Sequence, residues 1–148
     1  MKNILAAIDF SPVTERVITH AAAVAKAMGA KLWIIYVAAP EPDFVGFSTG
    51  PQYIRDHLAG QLRKEHAALQ DLASAQDKAG LDAEALMIQG PTAETIITEA
   101  ERLHADLVVM GSHGHGALFR AFVGSVSQSV LQQGRLPVLV IPSERQAG

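Results

Sequence analysis

Five short apolar runs, separated by stretches long enough for a helix, restrict the fold of this 148-residue chain more than any other feature. They are "NILAAID" (Asn3–Asp9), "KLWIIYV" (Lys31–Val37), "AEALMIQG" (Ala83–Gly90), "DLVVMG" (Asp106–Gly111) and "PVLVIP" (Pro137–Pro142). Each is nearly continuous in apolar character instead of alternating. That pattern belongs to strands buried on both faces, as in a parallel sheet. Parallel neighbours need a crossover of about a dozen residues or more, usually a helix.

The intervals supply those helices. After the first run, Ser11 suits a cap, Pro12 suits the first turn and Gly29 suits the stop. Val13, Val17, Ala21, Val24 and Met28 recur at helical spacing between them. "AAPEPDFVGFSTGP" (38–51) has no periodicity and reads as a long loop, either a functional one or a surface excursion. A long helix is predicted from near Gln52 to Ala79, with Ile54, Leu58, Leu62, Leu69 and Leu72 on one face. A third helix, "PTAETIITEAERLHA", is entered through Pro91, and a fourth ends near Gly134. The expected architecture is α/β: one open parallel sheet with helices on both faces, forming a single domain over residues 1–148.

Composition enters as exclusion. The absence of cysteine removes disulfides, thiolate metal sites and a cysteine nucleophile. A formal charge of -3 and a pI near 6.0 give no reason to expect nucleic acid or an anionic membrane surface as partner. The opening "MKNILAAIDF" is too short an apolar stretch for a signal peptide or a membrane span, so a cytoplasmic location is the default expectation.

The chemistry concentrates in "MGSHGHGALFRAFVGSVSQSV" (Met110–Val130). In open α/β sheets, ligands bind beyond the carboxyl ends of the strands, where the winding reverses. If the reversal lies between strands one and four, Asp9 and Gly111 face one crevice. Glycines allow positive φ and close approach of a ligand, and successive amides form an anion nest. A helix starting near Ser125 adds free N–H groups and a positive dipole end, and Ser125 and Ser127 add hydroxyls. These are the parts of a phosphate cradle. Ser125 and Gln128 also fit a plain capping box, and Gly111, Gly114 and Gly116 fit a simple turn. Neither a Walker loop nor a G-x-G-x-x-G fingerprint is present.

Gly111-x-x-Gly114, nine residues, then Gly124-Ser125 resembles the nucleotide-binding signature of the universal stress protein family. "ILAAIDFSP", "DLVVMGSHG" and "GSVSQSVLQQGRLPVLVIP" are similar to the family's surroundings of that signature, so the resemblance spans essentially the whole chain. It implies a five-stranded parallel sheet in the order 3-2-1-4-5, the adenine nucleotide alpha hydrolase-like fold. That order puts the reversal between strands one and four. The ATP-binding branch implies roles by position. Asp9 would lie near the ribose and phosphates, there reaching a nucleotide-bound Mg²⁺ or Mn²⁺. Ala7 and Val37 would flank the adenine, and Met110 and Gly111 would floor the ribose. His113, Gly114, His115 and Gly116 would wrap the phosphates, with Gly124, Ser125, Val126 and Ser127 closing the cradle. His115 departs from the Arg or Lys common at its position, which lowers the loop's positive charge near neutral pH; Arg120 compensates if the loop folds inward.

The implied ligand is ATP, with AMP or ADP as alternatives, and the implied role is a nucleotide-dependent stress-response module with an unknown protein partner. A slow ATPase is the enzymatic alternative; it needs a water-positioning residue, for which Asp9 and His113 are the candidates. A nucleotide-free interaction module is the other, although such relatives usually lack the complete glycine signature. Asp9 has a plainer reading as the cap of the turn before Ser11. His113 and His115 alone do not make a metal site. His20, His57, His66 and His104 fall on predicted helices and read as surface or boundary residues. Strand five is outermost in the implied order. Its Val138, Leu139, Val140 and Ile141 would leave an exposed apolar edge, bounded by Pro137 and Pro142, that antiparallel pairing of strand 137–142 with a second copy would cover. A homodimer is therefore expected.

Overall fold

The computed structural model describes residues 1–38, 52–111 and 136–142. Along them run β1 (Asn3–Ile8), α1 (Thr14–Met28), β2 (Lys31–Ala38), α2 (Gln52–Lys78), β3 (Ala83–Gln89), α3 (Thr92–Arg102), β4 (Leu107–Gly111) and β5 (Val138–Ile141). The five strands form one sheet in the order β3-β2-β1-β4-β5, with every neighbouring pair parallel. The expected order holds, and the winding reverses between β1 and β4. The fourth helix, the glycine segment after Gly111 and loop residues 39–51 lie outside the described residues.

β1 is the central strand, and Ile4 through Ile8 are all buried because neighbours bond it on both sides and helices cover both faces. Its alternate residues feed two cores. Ile4, Ala6 and Ile8 point to a layer with Val17, Ile18, Ala21 and Ala25 of α1 and Leu69 and Ala73 of α2. Leu5 and Ala7 point to the opposite layer, with Ile96 and Ala100 of α3, Val108 and Met110. Fully burying each Ile, Leu or Val here contributes about 1.5–3 kcal/mol.

The helix boundaries correct two expectations. Ser11 does not cap α1 with its side chain: the cap position is Val13, no side-chain cap hydrogen bond is made, and Pro12 sits in the turn before the helix. The Ser11 carbonyl instead accepts the Thr14 N–H at 3.0 Å. The buried stripe is Thr14, Val17, Ile18, Ala21 and Ala25, so Met28, at 51% exposure, faces outward. The α1 stop follows its glycine. Gly29 adopts φ 61, and Ala30 N–H reaches back to the Ala25 carbonyl at 2.8 Å. In α2, Ile54, Leu58, Leu62 and Leu72 are half-buried beside the buried Leu69, as expected of one face. No helix of the described residues is long and apolar enough to cross a membrane.

β5 is outermost and bonds to β4. Val138 and Leu139 are half-buried, Val140 is exposed and Ile141 is buried. The Arg16 guanidinium donates to the Pro142 carbonyl and ties α1 to the end of this strand.

Candidate functional site

The topology brings together the carboxyl ends of β1 and β4. Ala7, Ile8, Asp9 and Gly111 line one small recess, closed by Val13, Thr14 and Val17 from the start of α1. Five of the sequence-predicted site residues are among those described. Asp9 and Gly111 meet at this recess, and Ala7 reaches it from β1. Ala7, Met110 and Val37, at the ends of three adjacent strands, join the same buried cluster on the α3 side of the sheet. Met110 is fully buried and Ala7 nearly so. His113, Gly114, His115, Gly116, Gly124, Ser125, Val126 and Ser127 lie outside the described residues.

The segment leaving β1 has an unusual local structure. Asp9 Oδ1 accepts the Ser11 N–H at 3.0 Å, an Asx turn at the entrance to α1. The capping role considered for Asp9 is thus present, and a carboxylate beside the positive end of a helix is electrostatically favoured. Between Asp9 and Ser11, Phe10 takes φ 59, the left-handed region that costs a residue with a side chain about 1–2 kcal/mol. Its ring packs on Tyr36, with centroids 4.8 Å apart and planes at 59°. The next hydroxyls, Ser11 Oγ and Thr14 Oγ1, are buried and have no hydrogen-bond partner among the described residues.

A second hollow, of about 350 Å³, opens on the α2 side of the same strand ends. Asp9, Phe10, Tyr36, Lys64, Glu65 and Ala68 line it. Burial drives the Tyr36 hydroxyl well above the usual tyrosine range, and the neighbouring Glu65 carboxylate adds to this, as does the charge of Asp9. The phenol therefore stays protonated beside the Glu65 carboxylate. Sequence reasoning missed Phe10, Thr14, Tyr36 and Glu65. Nothing in spacing pairs Tyr36 with Glu65, which lie on a strand and a helix with the long loop between them. Phe10 carried no glycine or asparagine to mark a positive φ.

The four described histidines, His20, His57, His66 and His104, are exposed. Among the described residues no group of three or more His, Cys, Asp or Glu is placed to hold a metal ion.

Comparison with known proteins points the same way as the topology. The model of the universal stress protein family matches residues 1–142. A universal stress protein from Thermus aquaticus is 35% identical over 142 residues, 95% of this chain and 98% of its own. The crystal structure of a family member from Burkholderia pseudomallei superposes with a TM-score of 0.71 at 25% identity, covering 96% of each chain. A family protein from Arabidopsis thaliana, solved with AMP bound, shares the fold with a TM-score of 0.66 at 17% identity, covering 97% of this chain and 93% of its own. With a family match across nearly its whole length and the expected strand order, this chain belongs to the universal stress protein family.

Proposed function

We propose that the protein binds an adenine nucleotide, ATP in the first instance, in the crevice where β1 and β4 diverge, and acts as a nucleotide-dependent regulatory module in the cytoplasm. The observation that carries this reading is the convergence of Ala7, Asp9 and Gly111 at the switch point of the sheet, next to buried Val37 and Met110. AMP in the Arabidopsis thaliana relative supports the ligand class. The fit is chemical as well as topological. Asp9, at the carboxyl end of β1, supplies a carboxylate for a ribose hydroxyl or for a phosphate-bound Mg²⁺ or Mn²⁺. His113, Gly114, His115 and Gly116 then wrap the phosphates, and Gly124, Ser125, Val126 and Ser127 close the cradle.

Two copies associate through antiparallel pairing of strand 137–142, which covers the edge occupied by the exposed Val140. Light scattering at micromolar concentration checks this; a 15.7 kDa monomer contradicts it.

Titration calorimetry with ATP tests the nucleotide reading. Gly114→Val puts a branched side chain where the backbone has to approach phosphate, and binding should be lost in a folded variant. Equal affinity in parent and variant removes the cradle.

A further inference from the structure

We propose that the recess between β1, β4 and α1 is a structural water site, and that Thr14 is the residue that holds the water and, through it, the orientation of the Asp9 carboxylate. Two observations lead there. Thr14 is 7% exposed, and its hydroxyl has no hydrogen-bond partner among the described residues, although buried polar groups nearly always have one. Thr14 also lines a recess just large enough for one water molecule, together with Asp9 and the backbone of Gly111. A dry apolar cavity is stable when its walls are apolar, but a hydroxyl and a carboxylate on one small wall select a molecule that bonds both.

The bonding assignment follows from the donors present. Water accepts the Thr14 hydroxyl proton and donates one of its own to the Asp9 carboxylate, which the Ser11 N–H already holds on Oδ1. The remaining water proton and lone pair face the end of β4 at Gly111. The carboxylate is thereby fixed from two sides, by a backbone amide of the turn and by a water anchored on the helix. Thr14 is a positioning residue, because it acts through the water on the acid that faces the crevice. A helix that opens without a side-chain cap and with a threonine buried in its first turn is otherwise hard to explain. Valine, of the same shape, would avoid the buried hydroxyl and keep the packing.

Atomic-resolution crystallography of the nucleotide-free protein and of Thr14→Val tests the site. The proposal expects one ordered water within hydrogen-bond reach of Thr14 Oγ1 and the Asp9 carboxylate in the parent, and none in the variant. A parent recess without water, or a Thr14 hydroxyl bonded to a protein carbonyl, overturns it. The positioning role rests on the nucleotide reading and has its own readout. Thr14→Val should weaken ATP binding roughly fivefold, the scale of one hydrogen bond, and Thr14→Ser should restore it. Parent affinity in Thr14→Val, or failure of Thr14→Ser to restore it, overturns the positioning role. A parent protein that binds no adenine nucleotide sinks the proposed function, and the water site is then judged by the crystals alone.

Discussion

The two ends of the sheet are built in opposite ways. At the amino end, polar groups are paired off. The Asp106 carboxylate accepts the N–H groups of Lys2 and Asn3 at 2.6 and 3.0 Å. The Trp33 indole N–H donates to the Asn3 side chain at 3.1 Å, and Lys31 lies 4.1 Å from the centre of the Trp33 ring while bonding Glu84 at 2.8 Å. At the carboxyl end, Phe10 is held in a left-handed conformation and the hydroxyls of Ser11 and Thr14 are buried without partners among the described residues. Folding optimises the first end. The second keeps strain and unused hydrogen-bonding capacity at the switch point, which is where natural proteins depart from local rules for the sake of function.

Substitutions at the two ends should therefore separate stability from binding. The largest effect is expected at the carboxyl end. Asp9→Ala should weaken ATP binding by tenfold or more, about 1.4 kcal/mol, in a protein that stays folded. Calorimetry and thermal unfolding measured side by side check it, and a large loss of stability with unchanged affinity would reverse the assignment of the two ends.

Next in size is the amino end. Asp106→Asn should cost about 1 kcal/mol of stability, discounted for the partial exposure of the group, and leave nucleotide affinity alone. Its pH dependence sharpens the point. The Asn3 and Lys2 amides hold the Asp106 carboxyl below the ordinary aspartate range. A depressed folded-state value means that the contribution is complete above the unfolded value, near pH 4, and is lost as pH falls through the folded one. Urea unfolding of parent and variant from pH 7 down to pH 2 should show the parent's advantage shrinking only at the acid end. A constant gap would mean that the charge is not the cause.

The smallest effect is expected at Phe10. Phe10→Gly relieves the left-handed backbone but gives up the ring contact with Tyr36, terms of about 1–2 and 0.5–1.5 kcal/mol of opposite sign. Its stability should stay within about 1 kcal/mol of the parent by denaturant titration. A loss well beyond that would show the ring, and not the backbone, to be the reason for this residue.

Most of the fold is legible in the residues. Continuous apolar runs such as "LVVMG" announce buried parallel strands, and Gly29 announces the end of α1, because burial on both faces and a positive φ each leave a local signature. The start of α1 is not legible, because Ser11 and Pro12 carry strong start signals that the Asx turn from Asp9 overrides. Asp9 and Gly111 can be singled out as candidate site residues from glycine spacing and the position of strand ends. The nearness of Tyr36 to Glu65 and the buried Thr14 hydroxyl cannot, since both arise from packing between elements distant in the chain.

The central claim is that the carboxyl end of the sheet is the nucleotide site. Amide ¹H–¹⁵N NMR spectra of the protein titrated with ATP test it most directly. The signals of Asp9, Phe10, Ala38 and Gly111 should shift or broaden, while those of Asn3, Lys31 and Asp106 stay in place. Shifts centred on the amino end, or no shift at millimolar ATP, would contradict it.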